Sequence, residues 1–217
     1  MSNLEQLRFL QAEDIENVAE QWGTPVFVYD EATMQQQAQE ALAFKAPFGL
    51  TVRYAMKANP NSHILRIFSD MGLAIDASSG YEAERALLAG VDPQNILLTC
   101  QELPKNLAEL VERGVQFNAC SLDQLDEYGK QFPGTNVGVR INPGMGSGHS
   151  GKTNVGGPSA SFGIWHEYTD DIKRIAAEHN LTIERLHTHI GSGSDPETWT
   201  KVAQMSLDQV RDFPDVT

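Results

Sequence analysis

A lysine set between a strand-like run and a helix breaker is the residue best placed for chemistry in this sequence. Lys57 lies in RYAMKANPN, where a predicted strand over residues 50–55 meets Asn59-Pro60-Asn61 and a helix is due to start near Ser62. Tyr54, Ala55 and Met56 precede it and are expected to desolvate its ammonium, favouring a nucleophilic amine able to form a Schiff base. The plain alternative is a strand-end lysine with a packed stem and its head in water. Asp76, Ser78, Ser121, Asn142 and Ser192 have the same relation to the chain, each at or just past the end of a strand-like run. Asp and Ser in such places also cap helices, and Ser121, ahead of LDQLDEYGK, reads best as a cap.

The runs that must position these residues recur at a near-constant interval. LTVRYA from Leu50, LAIDA from Leu73, NILLT from Asn95, VQFNA from Val115 and NVGVRI from Asn136 begin 23, 22, 20 and 21 residues apart. Between them, SHILRIFSDM, EAERALLA and LAELVER carry apolar residues at helical spacing, with Gly72, Gly90 and Gly114 where helices should end. After a glycine-rich stretch over residues 144–163 come a helix over 168–179, a strand RLHTHI from Arg185 and a helix over 197–211. The strands read as continuous apolar runs, as when helices cover a parallel sheet.

A doubly wound sheet and a (βα)8 barrel both accommodate this order, and polar residues at the ends of several different strands favour the barrel. The predicted fold class is therefore α/β, a (βα)8 TIM-type barrel over residues 26–217 with about six barrel strands, after a helical lead-in over residues 1–25. VFVYD from Val26 offers one more strand. The chain stops just after a helix, where a seventh strand is due, so it reads as the N-terminal part of a longer barrel. Such a piece is expected to expose two sheet edges and an apolar inner face.

At 217 residues the chain can bury a full core. Sixteen Lys and Arg against 29 Asp and Glu give a net charge of −13 with no basic tract, which argues against nucleic acid or an anionic membrane as partner. Cys100 and Cys120 have neither disulfide-framework nor metal-ligand spacing and are expected to be reduced and buried. The N-terminus, MSNLEQLRFLQAEDIENVAEQWG, has no basic n-region and no long apolar core, so no signal peptide or membrane span is expected and the cytoplasm is the default.

Two further patterns invite a different chemistry. GSGHSGKT, from Gly146 to Thr153, matches the phosphate-loop pattern letter for letter, but three glycines and a proline follow where the phosphate-binding helix would have to begin. A glycine-rich loop over the barrel mouth explains the same residues. His149, His166, His187 and His189 lack Cys or carboxylate partners at ligand spacing, so no metal is expected; His187 and His189 share one strand face.

RYAMKANPNSHILR, DASSGYEAERALLAG, VRINPGMGSGHSGKTNVGGPSASFGIWHE and HTHIGSG, in that order, resemble the diaminopimelate decarboxylases, members of the alanine-racemase-like class of pyridoxal-phosphate enzymes. The resemblance covers nearly all of residues 26–217. It implies pyridoxal 5'-phosphate as cofactor, a small amino acid as substrate and a homodimer for the full-length protein. Carried over residue by residue, it implies that Lys57 bears the cofactor as a Schiff base, that His189 stacks on its ring and that Ser192 binds its phosphate. Asp76 and Arg140 would lie near the cofactor's inner face, with Lys57 and His189 as the catalytic residues. Gly191 and Gly193 beside Ser192 would let backbone N–H groups approach a phosphate.

The implied reaction is decarboxylation of meso-diaminopimelate to L-lysine and carbon dioxide, with Lys57 assisting proton transfer. Family members continue with a glycine-rich phosphate loop, an E-P-G-R segment and a β-rich C-terminal domain, and share sites across a dimer. None of these is in the sequence, so this piece alone is expected to be inactive. SFGI at residues 161–164 also departs from the many relatives with a lysine before FGI. Alternatives are a non-catalytic pyridoxal-phosphate carrier barrel, a decarboxylase of another basic amino acid or a carboxylated polyamine, and a racemase on the same barrel.

Overall fold

The computed structural model describes residues 9–146, 156–158, 160–191, 193 and 195–216, in two compact units, Met1–Leu50 and Thr51–Thr217. The first holds helices α1 (Ala12–Trp22) and α2 (Glu31–Leu42). Asp14 accepts from the Gln11 N–H at 2.9 Å and Asp30 from the Thr33 N–H at 3.1 Å, so a carboxylate satisfies a backbone donor at each helix start and suits its dipole. VFVYD forms no strand; its last residue, Asp30, is instead the cap of α2.

The second unit alternates strand and helix: β1 (Arg53–Ala55), α3 (Ser62–Asp70), β2 (Ala74–Ala77), α4 (Gly80–Leu88), β3 (Ile96–Thr99), α5 (Leu107–Glu112), β4 (Gln116–Ala119), α6 (Leu122–Gln131) and β5 (Asn136–Asn142). It continues with β6 (Ile164–Trp165), α7 (Thr169–His179), β7 (Thr182–Thr188) and α8 (Pro196–Val210). Every pairing is parallel, and β1 to β5 lie side by side in chain order. Ile141 pairs with both Ile164 and Thr188, so β6 prolongs the β4 edge of β5 while β7 takes the opposite edge. A doubly wound sheet reverses direction midway, and this one does not. Six strands wind one way, as in a (βα)8 barrel. The two-residue β6 has no counterpart among the predicted strands.

One local motif repeats at three of the handovers from helix to strand. Gly72, Gly90 and Gly114 have φ of +97°, +92° and +102°, in the left-handed region only glycine enters freely. In each case the next residue's N–H reaches back a full turn: Leu73 to Phe68 O, Val91 to Ala86 O and Val115 to Leu110 O, at 3.0–3.1 Å. These are Schellman caps, and each aims the chain into β2, the turn before β3, or β4. At the opposite helix ends Ser79 and Ser121 cap α4 and α6 through Glu82 N–H and Gln124 N–H. Ser121 is the cap its sequence context predicts.

The strands are not uniformly apolar. Ile75, Ala77, Ile96, Leu98, Phe117, Ala119, Val137, Val139 and Ile141 point to one side and share a core with Leu65, Ala83, Leu110, Leu125 and Ile172 of the helices. Their alternating neighbours form the other side: register aligns Ala55 with Asp76, Thr99 with Asn118, Gly138 with Arg185 and Arg140 with His187. That face is polar and internally bonded. Arg53 and Arg185 both donate to Gln116 Oε1 at 3.0 Å, Arg185 also reaches Asn118 Oδ1 at 3.3 Å, and Asn118 donates to Thr99 at 3.1 Å. The apolar inner face expected from the sequence is therefore replaced by a hydrogen-bonded layer. Period-two alternation, with helices on one side only, is its cause.

Candidate active site

Lys57, Asp76, Arg140 and His189 line one cavity of about 280 Å³ at the C-terminal ends of the strands. Ser78, Thr99, Gln101, Phe162 and His187 complete its wall. Lys57 sits two residues past Ala55, the register partner of Asp76, in a tight turn closed by Ala58 N–H on Ala55 O at 3.1 Å. Met56 turns the other way and is fully buried in the core, and its N–H donates to Asp76 O at 3.1 Å. The Tyr54 hydroxyl donates to Asn59 O at 3.2 Å, pinning the Asn-Pro-Asn breaker. The predicted desolvation of Lys57 is not found: its side chain is exposed, because Tyr54 and Met56 point into the helix-covered core rather than around the amine.

Charge on the polar face is unevenly compensated. Burial pushes the Asp76 carboxyl up to about 6, against the pull of Lys57, Arg53 and Arg140. Arg140 is buried, which lowers its pKa, and its guanidinium lies 5.0 Å from the centre of the Phe162 ring. Burial, then the positive charge of Arg140, holds His187 down to about 3 and also lowers His189. Both rings are neutral near pH 7. Cys100 and Cys120 are free and buried, with burial pushing Cys100 up to about 12 and Cys120 upward, so neither offers a thiolate.

Buried amides hold the walls in place. Gln124 accepts from the Cys120 N–H at 2.7 Å and donates to Gln101 O at 2.8 Å, tying the ends of β4 and β3 together. Asn142 binds the backbone of Gly144 and Gly157, so two points of the glycine-rich stretch meet at the end of β5. After β7, Trp199 donates to Gly193 O at 3.0 Å and Asp195 caps α8 through the Glu197 N–H at 3.1 Å.

Ser192 lies outside the described residues, as do His149 and residues 147–153 of the phosphate-loop lookalike. Its neighbour Gly191 has φ +114°. His166 stands apart from the cavity, against Trp165. Thr99, Gln101, Phe162 and His187 are the wall residues that sequence reasoning did not assign to the site. For Thr99, Gln101 and His187 the signal was available, since each keeps the strand parity of a polar neighbour. Phe162 stands in a glycine-rich stretch with no period to follow.

Residues 32–212 match the pyridoxal-binding domain of the pyridoxal-dependent decarboxylases. The diaminopimelate decarboxylase of Streptomyces coelicolor is 41% identical over 198 residues, which cover 89% of this chain and 44% of the relative. That of Escherichia coli is 37% identical over 209 residues, covering 94% and 49%. A crystal structure of a diaminopimelate decarboxylase superposes with a TM-score of 0.83 at 37% identity, over 93% of this chain and 48% of that one. The Paramecium bursaria Chlorella virus arginine decarboxylase, 17% identical, shares the fold with a TM-score of 0.73 over 93% of this chain and 55% of that one. The chain spans about half the length of the curated relatives it matches.

Proposed function

Because the chain belongs to the pyridoxal-dependent decarboxylases through their pyridoxal-binding domain, we propose that it is the cofactor-bearing part of a diaminopimelate decarboxylase. The reaction would take meso-diaminopimelate to L-lysine and carbon dioxide. The observation that carries this reading is the convergence of Lys57, Asp76, Arg140 and His189 on one cavity, at the strand ends where barrel enzymes place their chemistry.

The wall suits pyridoxal 5'-phosphate. A cavity of about 280 Å³ is close to the lower bound of roughly 300 Å³ for small-molecule sites and matches a single substituted ring. An exposed primary amine stands at its edge for the aldehyde, a buried guanidinium and a carboxyl supply charge, and two neutral imidazoles supply flat faces. Lys57 would hold the group covalently, His189 would cover its ring, and Asp76 and Arg140 would face its polar substituents. Ser192 is assigned to the phosphate from its motif. When bound, the pyridoxal ring withdraws electrons from the bonds of the carbon bearing the substrate's amine.

The residues of the chain do the rest. Lys57 Nζ, a primary amine at the cavity's edge, would carry a proton to or from the reacting carbon. Asp76, with its carboxyl near 6, is mostly ionised at neutral pH and balances the positive charge of Lys57 and Arg140. Phe162 covers the guanidinium of Arg140 and keeps water from one side of it. A homodimer working in the cytoplasm is the proposed setting; among the described residues no helix is long and apolar enough to cross a membrane.

The test is carbon dioxide release by the native protein carrying these residues, offered meso-diaminopimelate, L-ornithine or L-arginine. Release from meso-diaminopimelate in preference to the others is the expected result. Preference for ornithine or arginine would overturn the substrate, and binding of the cofactor with no release from any would favour a carrier.

A further inference from the structure

We propose that His187 is a positioning residue of the cofactor site, its imidazole fixing the bound pyridoxal group through a hydrogen bond at Nδ1. The proposal rests on the reading of Lys57 given above. Place comes first. His187 is the register partner of Arg140, stands on the same polar face as His189, and lines the cavity of Lys57.

Hydrogen bonding singles it out further. Among the described residues, His187 Nδ1 is the one buried side-chain nitrogen or oxygen with no hydrogen-bond partner. Its neighbours on the face are satisfied: Asn118 by Thr99 and Arg185, Gln116 by Arg53 and Arg185, Asn142 by Gly144 and Gly157. A buried polar atom left without a partner costs stability, and a histidine kept only for packing would be replaced by an apolar residue without loss. Such an atom, on a side chain that lines a cavity, is what a ligand-binding group looks like before its ligand arrives.

The chemistry agrees. Burial and the charges of Arg140, His189, Arg185 and Lys57 keep the ring neutral, so Nδ1 is donor or acceptor according to tautomer. A pyridoxal group offers oxygens that accept and a ring nitrogen that donates when protonated. A charged imidazole, by contrast, would be confined to donation and would repel Lys57 and Arg140.

The experiment compares the parent chain with His187→Leu and His187→Asn, the amide of Asn standing close to where Nδ1 was. Cofactor affinity is measured by ultrafiltration with pyridoxal 5'-phosphate, and the urea midpoint is measured without cofactor. The Leu variant is expected to bind about 10-fold more weakly, with Asn restoring affinity to within about 3-fold of the parent. Without cofactor, the Leu variant should unfold at the same or a higher urea concentration, because it removes an unpartnered polar atom. A Leu variant that binds as tightly as the parent, or that loses stability or fails to fold without cofactor, would overturn the proposal. Failure of the parent itself to bind the cofactor would instead overturn the reading of Lys57 on which the proposal stands.

Discussion

Asn142 holds both backbone groups of Gly157: its Oδ1 accepts the Gly157 N–H at 3.0 Å and its Nδ2 donates to the Gly157 carbonyl at 3.0 Å. The same oxygen accepts the Gly144 N–H at 3.0 Å, and the amide is buried. One side chain at the end of β5 thereby closes the glycine-rich stretch upon itself and sets where the chain returns, through Phe162, over Arg140.

Replacing Asn142 by Leu keeps the number of side-chain heavy atoms but removes bonds to four backbone groups; the Gly144 and Gly157 N–H groups lose this acceptor, while the Gly157 carbonyl keeps the Ala160 N–H. A loss of roughly 1–3 kcal/mol in urea unfolding is expected, because buried groups without partners bear the full desolvation cost. Limited proteolysis should cut faster between residues 143 and 160. Stability and cleavage unchanged from the parent would show that the clasp is incidental.

Gly138 has no room for a side chain. A Cβ there would stand 1.8 Å from Asn118 Oδ1 and 3.1 Å from Arg185 Nη1, inside the polar layer. Gly138→Ala should cost roughly 1–3 kcal/mol through forced displacement. Adding Asn118→Ala should recover part of the loss, since the two substitutions share one clash and cannot be additive. Additive losses would contradict the crowding.

Stability should respond to pH through two groups of opposite sign. The folded chain holds His187 near 3 against an ordinary 6.5, so between those values the unfolded chain binds the proton more readily. The stability from His187 is complete above pH 6.5 and is lost as pH falls toward 3; His189, also lowered, acts in the same direction. Asp76 is raised from 3.8 to about 6, so the folded chain keeps its proton longer and loses stability as pH rises through that window. Removing the carboxyl in Asp76→Asn should therefore steepen the rise of stability with pH between about 4 and 6. His187→Leu should flatten that rise or turn it into a fall. Urea unfolding at several pH values reads both, and equal slopes in parent and variants would contradict the assignment.

Much of this was legible in the sequence, for identifiable reasons. Strand positions follow from apolar residues that must face helices, such as Ile75, Leu98, Phe117 and Val139. Gly72, Gly90 and Gly114 announce helix ends because few other residues tolerate a left-handed backbone. The polar face was written in the same strands, in Gln116 and Asn118 between Val115, Phe117 and Ala119, or Arg140 between Val139 and Ile141. Short strands rich in apolar residues disguise that alternation as a continuous run. Phe162 and β6 were not legible, since their places depend on a single amide, Asn142, and on pairing with Ile141 and Asn142, contacts that no local period encodes.

The central claim is that Lys57 bears the cofactor, and trapping tests it most directly. The chain would be incubated with pyridoxal 5'-phosphate, reduced with borohydride, digested and mapped by mass spectrometry. The added mass should fall on the peptide containing Lys57, and should vanish in Lys57→Ala while the urea midpoint stays at the parent's value, because that side chain is exposed. Label spread evenly over the surface lysines, or undiminished in Lys57→Ala, would contradict the account.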